Sequence, residues 1–88
     1  MRVRLKLFAM LSDHLPRDAQ GSAPAGNEVA LDVGDDATVQ QVIEQCRLPP
    51  RLVHLVLVNG IYVPPSARGA HRLAPGDDLA IWPPIAGG

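Results

Sequence analysis

Apolar and charged positions alternate along the first residues, with Val3, Leu5 and Leu7 set against Arg2, Arg4 and Lys6. A period of two marks a strand with one face on a core and the other in water, and this segment is read as the first strand. Val29, Leu31 and Val33 repeat the pattern as a second strand. Between them, Met10 to Leu15 reads as a short helical or irregular turn ended by Pro16. Arg17 to Asn27, rich in Gly, Ala, Pro, Ser and Asp, reads as the mobile surface loop of a long hairpin. The period then changes: Val39, Val42, Ile43 and Cys46 form one helical stripe. Thr38 and Gln41 match a capping box at its start, and Pro49-Pro50 ends it.

Leu52 to Val58 is nearly continuous in apolar residues, the pattern of a strand covered on both faces, here by the helix and by a partner protein. Asn59-Gly60 is a strong hairpin signal, after which Ile61-Tyr62-Val63 returns. Pro75-Gly76-Asp77-Asp78 is a turn, and Leu79-Ala80-Ile81-Trp82 is the last strand. The order β-β-α-β-β-β predicts an α+β fold, a mixed sheet of about five strands carrying one main helix. Residues 1–82 form the expected domain, with 17–27 as its mobile loop and 83–88 as a flexible tail.

The 88 residues fit a single domain, and their net charge of −1 comes without a basic, aromatic-bearing stripe, which argues against a nucleic-acid partner. The single Cys46 excludes an internal disulfide and a multi-cysteine metal site. Its place on the helical stripe makes it a core residue. The N-terminus lacks the long apolar run of a signal peptide, and no stretch approaches the ~20 apolar residues of a membrane span. A cytoplasmic protein without membrane contact is expected.

A self-contained active site is not evident. His14, His54 and His71 lie far apart without ligand spacing. Ser12-Asp13-His14 are adjacent in sequence, which does not make a triad, and Asp35-Asp36 and Asp77-Asp78 read as turn residues. Neither a GxxxxGK phosphate loop nor a GxGxxG motif is present, so no metal and no bound cofactor is expected. What carries chemistry is the ending Pro83-Pro84-Ile85-Ala86-Gly87-Gly88. Two glycines add no packing and lose much backbone entropy on ordering. They do present a thin α-carboxylate, able to enter a channel too narrow for a Cβ. Pro83 and Pro84 straighten the tether in advance, giving it a reach of roughly 20 Å.

Phe8, Tyr62 and Trp82 are the only aromatic residues. Parity places Phe8 opposite Val3, Leu5 and Leu7, and Trp82 opposite Leu79 and Ile81. Two exposed aromatics on one sheet face would mark a docking patch; the alternative is that strand twist tucks both into the core. The face occupied by Tyr62 depends on the hairpin register.

Leu7-Phe8-Ala9, the Thr38-capped helix, Val58-Asn59-Gly60, Gly76-Asp77 and the Pro-Pro-x-x-Gly-Gly ending together give a chain that resembles the MoaD/ThiS family of ubiquitin-like β-grasp sulfur carriers. The likeness covers essentially the whole chain except Arg17 to Asn27, and the ending looks most like the MoaD branch, the small subunit of molybdopterin synthase. The resemblance implies that a ubiquitin-activating-type enzyme (MoeB/ThiF-like) adenylates Gly88 with ATP. The acyl adenylate then becomes a thiocarboxylate, and its sulfur passes to a MoaE-like large synthase subunit that builds the dithiolene of molybdopterin. It further implies that Phe8, Tyr62 and Trp82 dock on both partners, and that this chain is the subunit without catalytic machinery. Three alternatives stand beside it: a carrier for thiamine or another sulfur-dependent pathway, a protein modifier joined through Gly88 to lysines, and an interaction module whose Gly-Gly is incidental.

Overall fold

The computed structural model describes residues 1–18, 20–22, 24 and 26–84. Five strands form one mixed sheet in the order β2-β1-β5-β3-β4. The strands are β1 (Arg2–Leu7), β2 (Glu28–Asp32), β3 (Leu55–Val58), β4 (Ile61–Tyr62) and β5 (Asp78–Trp82). Central β1 and β5 run parallel, while every other pairing is antiparallel. The alternation in β1 has the expected cause: Val3, Leu5 and Leu7 are buried on the inner face, with Val29, Leu31, Val56, Val58, Leu79 and Ile81 beside them. The helix α1 (Val39–Gln45) covers that face through Val39, Val42 and Ile43. This is the ubiquitin-like β-grasp arrangement. The turn before Pro16 is a 3-10 helix, Ala9–His14.

The capping box forms as expected: the Gln41 amide donates to Thr38 Oγ1 at 3.2 Å, and the Thr38 amide donates to Gln41 Oε1 at 2.9 Å. The helix ends sooner than its apolar stripe. Cys46 is the C-cap, and Arg47 turns left-handed with φ 55°. The Arg47 amide then bonds the Glu44 carbonyl at 3.0 Å and the Leu48 amide the Ile43 carbonyl at 3.2 Å. That pair of bonds is a Schellman stop, with buried Leu48 closing over buried Ile43.

The run from Leu52 to Val58 is not one doubly covered strand. Pro49 holds extended backbone before a 3-10 turn over Pro50–Leu52, and the strand begins only at Leu55. Within it, Val56 and Val58 are buried while Leu55 and Leu57 are half-exposed. Among the described residues, the helix covers one face and the other is left open. Asn59 and Gly60 join β3 to β4 with φ values of 51° and 82°, the signature of a type I′ turn. Leu57 consequently faces Tyr62 across the hairpin.

A second turn is tied to the first. Asn59 Nδ2 donates to Asp77 Oδ1 at 2.9 Å, the Asp78 amide donates to Asn59 Oδ1 at 2.9 Å, and the Ala74 amide donates to Asp77 Oδ2 at 2.8 Å. Asn59-Gly60 and Gly76-Asp77, far apart in sequence, thus form one hydrogen-bonded corner at the sheet end opposite Trp82.

Candidate functional site

Because β1 and β5 are parallel neighbours, they run out at the same end of the sheet. Phe8 follows β1 and Trp82 closes β5, and their rings stack with centroids 4.0 Å apart and planes within 3°. Both are half-exposed and lie on the open outer face, as parity requires, so neither tucks into the core. The stack is worth about 0.5–1.5 kcal/mol beyond the area it buries. Leu55 sits opposite Trp82, and Leu57 lies between Ala80 and Tyr62. Tyr62, 52% exposed, completes the row on the same face. Phe8, Trp82, Leu55, Leu57, Ala80 and Tyr62 therefore form one apolar surface over β5, β3 and β4. Phe8 and Trp82 were legible from parity, whereas the face of Tyr62 waited on the hairpin register. Leu55 and Leu57 were not legible, because a run of leucines and valines hides which parity faces outward until the hairpin register is known.

The tail leaves from the rim of this surface. The Trp82 carbonyl accepts the His54 amide at 3.0 Å; Pro83 is buried and Pro84 exposed. Ile85, Ala86, Gly87 and Gly88 lie outside the described residues. Beside His54 sits a side chain that sequence reasoning passed over. Arg68 is only 6% exposed, and its guanidinium donates from Nε to the Val63 carbonyl at 3.3 Å and from Nη2 to the His54 carbonyl at 3.0 Å. Its setting, Pro65-Ser66-Ala67-Arg68-Gly69, reads as polar surface loop and gives no sign of burial.

The remaining candidates resolve into structure. Ser12 Oγ donates to the Ala9 carbonyl at 2.9 Å, closing its own 3-10 turn, and Asp13 and His14 point to solvent. Among the described residues, no group of three or more His, Cys, Asp or Glu is placed to hold a metal ion. Cys46 is half-buried against the core, and burial pushes its thiol up to about 11. It is therefore a neutral thiol at physiological pH, a poor nucleophile. In the 17–27 loop, Asp18 closes a turn by accepting the amides of Gln20 at 3.0 Å and Ser22 at 2.8 Å.

A family model described as the ThiS family matches residues 17–88, from the loop through the final glycine. No curated protein matches the chain in sequence. Among solved structures, SAMP1 from Haloferax volcanii is similar over 100% of both chains, at 29% identity and a TM-score of 0.66. The Haloferax volcanii HVO 2177 protein is similar over 100% of this chain and 87% of its own, at 28% identity and a TM-score of 0.70. A Pyrococcus furiosus protein assigned as molybdopterin converting factor subunit 1 shares the fold over 97% of this chain and 99% of its own, at 20% identity and a TM-score of 0.65.

Proposed function

The chain belongs to the ThiS family, and we propose that it is a sulfur carrier whose Gly88 is adenylated and converted to a thiocarboxylate for molybdopterin biosynthesis. At the coarser level it is a ThiS/MoaD-type carrier or a small ubiquitin-like modifier. The observation that carries the carrier reading is the family match over residues 17–88, which takes in Gly88. The chemistry supports it. An α-carboxylate, with a pKa near ~3.5, is anionic at neutral pH and a poor electrophile. Activation as an acyl adenylate gives sulfur a leaving group to displace, and tethering then delivers the product to a second active site at high effective concentration.

The partners in this reading are an adenylating enzyme of the MoeB/ThiF type, which brings the ATP, and a MoaE-like synthase subunit, all in the cytoplasm. Phe8, Trp82 and Tyr62 form the surface on which both dock, with Pro83 and Pro84 extending the tail from its rim toward the partner's active site.

The modifier reading is supported by the likeness to Haloferax volcanii SAMP1 and to the structure described as H. volcanii small archaeal modifier protein 1. One experiment separates the two. The protein is incubated with adenylating enzyme, ATP and a sulfide source, and its intact mass is measured. Exchange of one oxygen for sulfur at Gly88, lost when Gly88 is deleted while the melting temperature holds, is the expected result. A Gly88-dependent covalent ladder on denaturing gels, without the mass change, would replace the carrier with the modifier.

A further inference from the structure

Arg68 places a guanidinium where a charge is costly to bury, and among the described residues no carboxylate lies within ion-pairing distance of it. Burial strips the guanidinium of hydration, and two backbone carbonyls take the place of water as its acceptors. The β3–β4 ladder runs out at the Val63 amide, which donates to the Val56 carbonyl at 2.9 Å. Beyond that rung the Arg68 side chain takes over. Nε holds the Val63 carbonyl just past the end of β4, and Nη2 holds the His54 carbonyl just before β3. The residue held at its carbonyl by Arg68 also donates its amide to the Trp82 carbonyl. Pro83 and Pro84 have no amide hydrogen to donate, and among the described residues no backbone amide donates to their carbonyls, so the His54 contact is the last backbone hydrogen bond there before the tail.

We infer that Arg68 is a positioning residue, setting through His54 and the Trp82 carbonyl the direction in which the C-terminal tail leaves the sheet. This rests on the carrier reading for its consequence, since the tail must enter a partner's active site on a fixed line. Arg is suited to the task because its planar fork offers several donors in fixed directions, so one side chain bridges two carbonyls on different strand ends. Arg68 itself lies off the aromatic surface. Its loss should therefore misdirect the tail without weakening docking.

The test compares wild type with Arg68→Met, which keeps the bulk and loses the donors, and Arg68→Lys, which keeps the charge and loses the fork. Leu31→Ala, on the far side of the sheet, serves as a control for lowered stability. Amide exchange is measured first and needs no partner. In Arg68→Met the His54 amide is expected to lose protection by at least about tenfold relative to Leu5, as its anchor opens locally; unchanged relative protection would overturn the inference.

Conversion kinetics with the adenylating enzyme follow, below the melting temperature of every variant. The turnover number of both Arg68 variants is expected to fall at least about tenfold, because small misplacements of a reacting group are costly. The KM for the protein stays within about twofold, and Leu31→Ala keeps the wild-type turnover number. Wild-type turnover in both Arg68 variants would overturn the positioning role alone. Failure of the wild type to be converted at all would overturn the carrier reading, with the exchange data still deciding whether Arg68 holds His54.

Discussion

On the outer face of the sheet, β2 and β1 present Glu28, Asp32, Arg2, Arg4 and Lys6, whereas β5, β3 and β4 present Ala80, Trp82, Leu55, Leu57 and Tyr62, joined by Phe8. The backbone pleat is the same in both halves. The charged half answers its charges partly within itself, with Arg2 Nε 3.1 Å from Asp32 Oδ1, and partly at its border, with Lys6 Nζ 3.8 Å from Asp78 Oδ2 at the start of β5. Water completes it, and the charges discourage foreign strands from pairing along the β2 edge. Among the described residues, the apolar half has only the Phe8–Trp82 stack to shelter it. Each square ångström of it removed from water by a docked partner contributes about 25 cal/mol of transfer free energy, from which the costs of association are subtracted. One half of the face thus serves the monomer, and the other stores binding free energy at the point where the tail departs.

The largest expected separation between the halves is in binding. Trp82→Ala removes one ring and unstacks the other, and a central aromatic anchor of this kind costs about 2 kcal/mol or more of affinity. Titration calorimetry against the adenylating enzyme should show that loss for Trp82→Ala and for Phe8→Ala. The double variant should lose less than the sum, since the two rings act as a unit. Stability should fall by the worth of the stack, about 0.5–1.5 kcal/mol, plus that of the area each half-exposed ring buries, and stay short of the roughly 3–5 kcal/mol lost with a core Phe or Trp. A large drop in melting temperature with normal affinity would make the two rings core residues and dissolve the contrast. Next in size is Leu57→Lys, which carries the charged pattern into the middle of the apolar rows. About a tenfold loss of affinity is expected from desolvating the ammonium at the interface, with the fold retained because Leu57 is already half-exposed. Affinity equal to wild type would move the docking surface elsewhere.

The charged half was legible residue by residue, because alternating Arg2, Val3, Arg4, Leu5, Lys6 and Leu7 states its own parity. Asn59-Gly60 likewise states its turn, and Thr38 with Gln41 its cap, since each is a local rule satisfied within four residues. The apolar half needed pairings that no local rule supplies. Stacking of Phe8 on Trp82 depends on β1 and β5 lying parallel and adjacent, a contact between the two ends of the chain. The helix end was hidden for another reason: its left-handed position is filled by Arg47, where glycine would have announced the stop. Arg68 was hidden because burial of a loop arginine follows from which carbonyls the strand ends leave unbonded, and those are fixed only once β3 and β4 have paired.

The smallest effect sharpens the contrast from the charged side. Arg2 and Asp32 are both more than half exposed, with side-chain exposures of 54% and 61%, so water screens the pair and its worth is about 0.2–1 kcal/mol. Arg2→Ala and Asp32→Ala should each lower the unfolding free energy by an amount in that range at low salt. In 1 M salt, where the Debye length falls to ~3 Å, most of the difference should vanish. Affinity for the adenylating enzyme should stay unchanged in both, because the pair lies at the far side of β1 from the aromatic stack. If Arg2→Ala instead weakened binding as much as Trp82→Ala, the partner's footprint would extend across the whole face. The division at β1 would then be a change of chemistry inside one interface rather than its border.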